Sequence, residues 1–177
     1  HMNIKKLPRG KDTHRIYGFN YRMTEIQAVI ASTQLDKIDY IVKKNREHYA
    51  ILESELSSIH KIEFRKIPSK CNPLCDTLII IFKDKLAANR LVNKLTENKL
   101  STKNMPDAIE WHFAKYWVHM LKELEMSKDE LNKLLTSSSQ IIERSVALPI
   151  MISIKPAELK KQVAKIRDLV KISIEDK

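Results

Sequence analysis

The six residues Thr77-Leu78-Ile79-Ile80-Ile81-Phe82 limit most strongly what this chain can become. The run is uncharged, too short for a stable helix and rich in β-branched side chains, which is the pattern of a strand buried on both faces. Such a strand belongs in the middle of a sheet, so neighbours must be found for it. Lys61-Ile62-Glu63-Phe64-Arg65 alternates and predicts a short strand, followed by a loop from Pro68 to Asp76. Ser145-Val146-Ala147-Leu148-Pro149-Ile150 predicts another, stopped by its own proline. Leu100-Ser101-Thr102-Lys103 predicts an edge strand before Pro106.

Between these runs the apolar spacing changes to threes and fours, the period of a helix with one buried face. From Thr24 onward Ile26, Val29 and Ile30 predict a short helix. After a break near Asp36, Ile38, Ile41, Val42, Tyr49, Leu52, Leu56 and Ile59 predict a long one. Leu86, Leu91, Val92 and Leu95 mark a helix ending around Asn98. Ser127 and Glu130 form a capping box for a helix carrying Leu131, Leu134, Leu135, Ile141 and Ile142. Pro156 suits the first turn of a last helix with the stripe Leu159, Val163, Ile166 and Val170. The expected fold is therefore α/β in the α+β sense: a small, mostly antiparallel sheet packed by helices and preceded by a long helical segment. Three parts are expected: 1–17, a tag scar at His1-Met2 and a basic arm with Lys5, Lys6, Arg9, Lys11 and Arg15; 18–60, a motif loop and connecting helices; and 61–177, a small α/β domain.

Composition narrows the function. At 177 residues and 43% hydrophobic the chain can bury a real core. It has no apolar run long enough to cross a bilayer and no secretory leader, so no membrane is expected and the cytoplasm is the expected location. Cys71 and Cys75 lie too close together, and with too few companions, for a zinc site or a disulfide, and read as plain thiols. The net charge of +10 invites a nucleic-acid partner. Its lysines and arginines, however, are interleaved with acids and build no aromatic stacking platform, so a solvated surface is expected and no nucleic acid. His112 and His119 are spaced to share a helix face among Trp111, Phe113, Tyr116 and Trp117. Without a carboxylate or cysteine at a matching offset they make a poor metal pair, and the aromatic residues read as core, with His112 as a polar group for a ligand pocket. Two glycines leave no Gly-rich phosphate loop, and no serine, cysteine or histidine set suggests acyl transfer. The chain by itself shows no complete active site.

One stretch reads as chemistry. In Gly18-Phe19-Asn20-Tyr21-Arg22-Met23-Thr24-Glu25-Ile26-Gln27 a flexible glycine precedes an amide, a phenol and a guanidinium, and a helix begins at once. Thr24 is its expected N-cap, with Gln27 reaching back. Polar side chains just ahead of an electropositive helix start face whatever anion sits there, and phosphate is the obvious candidate. Asn20 read alone is equally a turn residue before a cap.

This stretch through Ala28, with Gln34-Leu35-Asp36-Lys37-Ile38, Asn45-Arg46 and the Leu148-Pro149-Ile150 strand, resembles the DegT/DnrJ/EryC1/StrS family of pyridoxal-phosphate-dependent sugar aminotransferases. Leu7 to His14 and Thr102 to Phe113 look like the branch that forms an 8-amino-3,8-dideoxy-manno-octulosonate. The resemblance implies a C-terminal part of a fold-type I enzyme, comprising the end of the large domain's connection and the small C-terminal domain. The parent would move an amino group, from glutamate, onto a keto-sugar for lipopolysaccharide biosynthesis, working as a homodimer. Asn20 would reach the cofactor phosphate of the partner subunit. Tyr21, Arg22, His112, Phe113 and, upstream, His14 would face substrate. The family's Schiff-base lysine belongs to the larger N-terminal domain and matches nothing here, so no catalytic residue is assigned, no cofactor is expected bound, and the chain alone is expected to be inactive. A non-catalytic domain that binds sugar nucleotides or a protein partner is the alternative.

Overall fold

The structure, a computed structural model, describes residues 23–104, 113–120 and 125–175. They belong to two compact units, one built from 23–103 with 144–175 and the other from 104, 113–120 and 125–143.

The larger unit opens with α1 (Glu25–Leu35) and α2 (Ile38–Leu56), separated by the turn at Asp36-Lys37. Next come β1 (Ile62–Phe64), β2 (Thr77–Phe82), α3 (Lys85–Glu97) and the first residue of the two-residue strand β3 (Lys103–Asn104), at which the chain leaves the unit. The unit resumes with β4 (Ser145–Pro149) and closes with α6 (Pro156–Glu175). The sheet order is β1-β2-β4-β3, so the TLIIIF run does sit inside the sheet. β1 and β4 both pair antiparallel with β2, Leu78 facing Leu148 and Ile80 facing Val146. The Phe82 amide donates to the Arg144 carbonyl at 2.8 Å, and Arg144 Nη1 donates to the Phe82 carbonyl at 2.6 Å, tying off that end of the pair.

Helices α2, α3 and α6 cover one face of the sheet. Leu78, Ile80 and Phe82 point into this core with Val146 and Leu148, meeting Leu52 and Leu56 of α2, Leu91 and Leu95 of α3, and Val163 and Val170 of α6. Burial of such side chains contributes about 1.5–3 kcal/mol each, which fixes the register. A one-residue slip would turn the whole set outward. Cross-ties hold the helices in place: Arg90 Nε donates to the Ser173 carbonyl at 2.9 Å, and Arg167 Nη1 reaches Glu55 Oε1 at 2.5 Å.

Several sequence expectations need correction. On β2 only the alternate residues Leu78, Ile80 and Phe82 are buried; Thr77, Ile79 and Ile81 are half-buried. The strand closed off on both faces is β4, where every residue from Ser145 to Leu148 is buried, because its small Ser145 and Ala147 alternate with Val146 and Leu148. In α3, Leu86 points to solvent and Ala87 and Ala88 face the core, since Asp84 caps the helix through the Ala87 amide at 2.7 Å and thereby sets its rotation. The stripe of α1 is not a core stripe: Ile26, Val29 and Ile30 are exposed, at 74%, 64% and 57%.

In the smaller unit, two 3-10 turns at Ala114–Tyr116 and Val118–Met120 replace the regular helical spacing of the aromatic segment. The single helix expected after Ser127 is two, α4 (Lys128–Leu134) and α5 (Thr136–Glu143). The break follows from the Thr-Ser-Ser-Ser run. Thr136 Oγ1 bonds back to the Asn132 carbonyl at 2.8 Å, a side-chain competitor for helical hydrogen bonding. Leu131 is buried, whereas Leu134 and Ile141 are exposed.

Candidate functional site

The start of α1 is built as its sequence predicts. Thr24 is extended (φ −75°, ψ 157°), its Oγ1 accepts from the Gln27 amide at 3.2 Å, and Gln27 Oε1 accepts from the Thr24 amide at 2.9 Å. Thr24 thus takes one first-turn amide. Those of Glu25 and Ile26 have no acceptor within the helix and carry its positive end. The Glu25 carboxylate lies in that same first turn and complements the dipole. This is the end of the helix onto which Asn20, Tyr21 and Arg22 lead; those three residues, with His14, lie outside the described residues.

Of the pair in the aromatic segment, His112 also lies outside the described residues. Phe113 is half-buried ahead of the first 3-10 turn; its carbonyl accepts from the Tyr116 amide at 3.0 Å and its ring meets Tyr116 edge-on, with centroids 6.2 Å apart and planes at 65°. That geometry accounts for Phe113 as an aromatic packing partner and leaves its proposed substrate contact open. Among the described residues no group of three or more His, Cys, Asp or Glu is placed to hold a metal ion. Among the described residues no helix is long and apolar enough to cross a membrane.

Behind α1, the family-like Asn45-Arg46 pair lies on α2. Asn45 is buried, and Arg46 Nε donates to the Pro73 carbonyl at 3.2 Å, anchoring the loop that carries both cysteines. Within that loop Cys71 is exposed and Cys75 half-buried at φ 58°. Burial pushes the Cys75 thiol up from its ordinary value, against the pull of Arg46. The Tyr49 phenol is likewise raised, by burial first and then by Glu53. Neither group is poised as a nucleophile, because activation requires a shift downward.

Among the buried polar residues that went unmarked in the sequence is the histidine of α2. His48, 6% exposed, faces inward from α2 beside Tyr49 and Leu52, with Nδ1 3.0 Å from the Met151 carbonyl. The signal was present in the spacing, since 45, 48, 49, 52 and 56 follow the helical period of one buried face, but an apolar-only pattern passes over it.

Comparisons with known proteins place this geometry in context. Residues 3–167 match the sequence profile of the DegT/DnrJ/EryC1/StrS aminotransferase family. Over 110 residues the chain is 30% identical to the lipopolysaccharide biosynthesis protein RfbH of Salmonella typhimurium, covering 58% of this chain and 25% of that protein. The crystal structure of the aminotransferase TlmJ from Streptoalloteichus hindustanus superposes with a TM-score of 0.62 at 14% identity, covering 83% of this chain and 36% of that one. The chain therefore spans about a quarter to a third of the length of these relatives.

Proposed function

Because the chain belongs to the DegT/DnrJ/EryC1/StrS aminotransferase family, we propose that it is the C-terminal part of a pyridoxal-phosphate-dependent enzyme that aminates a keto-sugar, with glutamate as donor, for lipopolysaccharide biosynthesis. The observation that carries this reading is the family match across residues 3–167, which takes in the Asn20 to Gln27 motif together with the Leu148-Pro149 strand. The naming of RfbH for lipopolysaccharide biosynthesis supports the product class. Octulosonate amination is the finer proposal, resting on Leu7 to His14 and Thr102 to Phe113.

In this reading the division at residues 17 and 60 separates an arm, a connection to the large domain and the small domain. The apolar face of α1, exposed in this chain, is then the surface on which the large domain sits, since a shared apolar face is how such parts are held together. Pyridoxal phosphate, when bound, supplies the electron sink that lets an amino group be carried between substrates. The described start of α1 supports its phosphate end: the first-turn amides of Glu25 and Ile26 have no acceptor within the helix, and Asn20, four residues before the Thr24 cap in the sequence, would reach the phosphate held by the partner subunit of a homodimer. Tyr21, Arg22, His112, Phe113 and His14 would orient the sugar, Arg22 through its fixed guanidinium fork. The lysine that holds the cofactor is supplied by the other part of the enzyme, so the chain alone does not transaminate. The enzyme is cytoplasmic, with no nucleic-acid or membrane partner.

The test compares this chain with the product of its full natural reading frame, each incubated with pyridoxal phosphate, reduced with borohydride and mapped by mass spectrometry. The full product should carry the cofactor on a lysine outside these 177 residues, and Asn20→Ala in it should weaken cofactor retention roughly tenfold, the loss of one charge-assisted hydrogen bond. A full product that takes up no cofactor would overturn the proposal in favour of a non-catalytic binding domain.

A further inference from the structure

The smaller unit holds an open hollow of about 280 Å³ bounded by the first 3-10 turn and by α4 and α5. Lys115 lines it from the turn, Asn132 from α4, and Thr136, Ser139, Gln140 and Glu143 from α5. Steps of three and four put the five helical residues on one face. The Leu135 amide donates to the Leu131 carbonyl at 3.0 Å and the Ser139 amide to the Leu135 carbonyl at 2.9 Å, which carries that face across the break between the two helices. At about 30 Å³ per water the hollow has room for about nine waters, enough for a single monosaccharide ring.

Every lining residue carries a hydrogen-bonding side chain, and among the described residues no apolar one takes part. The lining includes the hydroxyl residue Ser139, only 8% exposed. An apolar body placed here would displace water from these groups and offer them nothing in return. Charge narrows the occupant further. One ammonium, Lys115, and one carboxylate, Glu143, balance, so a polyanion such as a phosphate gains no net attraction. The neutral groups supply both halves of the hydrogen-bonding code: the amides of Asn132 and Gln140 donate and accept, whereas Thr136 Oγ1, which gives its proton to the Asn132 carbonyl at 2.8 Å, is left to accept. Groups that both donate and accept, several to one small molecule, are what this lining matches, and vicinal hydroxyls have that character.

We propose that this hollow binds one neutral, hydroxyl-rich sugar of monosaccharide size, one hydroxyl donating to Thr136 Oγ1 and its neighbours pairing with the amides of Asn132 and Gln140. The site lies wholly within the smaller unit. It makes no use of the Asn20 motif or of the cofactor, so sugar binding here and cofactor uptake by the full enzyme fail separately.

The test titrates mannose into the chain at pH 7, following the side-chain amide signals of Asn132 and Gln140 by NMR. Cyclohexanol, a ring of the same size with one hydroxyl, and inorganic phosphate are titrated separately. Mannose should move both amide signals saturably and bind at least tenfold more tightly than either comparison molecule. Gln140 is exposed, so Gln140→Leu should leave the fold in place and weaken mannose about tenfold, the loss of one hydrogen bond. Thr136→Val, which keeps the shape and removes the acceptor, should do the same, and either variant carries the test if the other does not fold. No saturable shift, cyclohexanol or phosphate binding as tightly as mannose, or unchanged affinity in a folded variant would each overturn the proposal.

Discussion

Two isoleucines of this chain, truncated in the same way, should respond very differently, one with a large loss of stability and the other with none. Ile80 on β2 is fully buried at 0% exposure, whereas Ile30 on α1 is 57% exposed. Ile→Ala removes three carbons, worth about 2.4 kcal/mol at about 0.8 kcal/mol per buried CH₂. At Ile80 a cavity cost adds to this, because Phe82, Leu91 and Val146 of the same core are held by sheet register and helix contacts and cannot close the gap fully. The total expected is about 3–4 kcal/mol, inside the usual range for such substitutions. With about 2–4 °C lost per kcal/mol in a chain of this size, the melting temperature of Ile80→Ala should fall by about 10 °C. Ile30→Ala loses little burial and gains helix propensity, a few tenths of a kcal/mol, so its stability should stay level or rise slightly. Urea unfolding followed by circular dichroism reads both. A loss at Ile30 comparable with that at Ile80 would show that α1 is packed in the isolated chain, and would refute the assignment of its face to an absent partner.

Two further outcomes follow from the charges and thiols. Glu130 is held below the ordinary carboxylate range by the Ser127 hydroxyl first and the Ser127 amide second, at 2.7 Å and 2.8 Å. Being depressed, its contribution to the start of α4 is present above the ordinary value of about 4.3 and is lost as the pH falls through its folded value; Ser127→Ala should return it toward that ordinary value in a carboxyl NMR titration, and an unchanged low titration would sink the attribution. At pH 8 iodoacetamide should modify exposed Cys71 before Cys75, whose thiol burial pushes up; peptide mapping that found Cys75 labelled first would contradict this.

Much of the fold could be read from the residues because local signals and burial agree. Thr24 with Gln27 and Ser127 with Glu130 cap as their spacing demands, Pro149 ends β4, and Val163 and Val170 face the core as the period of α6 requires. What was not legible depended on partners that a local pattern does not contain. Ile26, Val29 and Ile30 have the spacing of a core stripe, yet a stripe says only that a face is apolar, never what covers it. Leu86 and Ala87 compete for the same face of α3, and the Asp84 cap decides between them. Met151 lies far along the chain from His48, so nothing near residue 48 announces the bond that buries the imidazole. For the candidate site, residue types before a capped helix indicated an anion, and the helix start is as expected. Phe113, in contrast, meets Tyr116 through a 3-10 turn that helical spacing did not anticipate.

The pairing of β2 with β4 also governs how the chain comes off the ribosome. Thr77–Phe82 is synthesised before its partner Ser145–Pro149, which follows only after α3, β3, α4 and α5, with Val163 and Val170 later still. Throughout that interval the uncharged, proline-free TLIIIF segment has β1 on one edge and nothing on the other. Six residues of this composition with an open edge are the type of segment that adds to a copy of itself. Nascent chains arrested before residue 144 are thus the aggregation-prone species, and holdase chaperones would engage this protein during that window. The order of synthesis, rather than the stability of the finished sheet, thus decides how long this strand edge stays open.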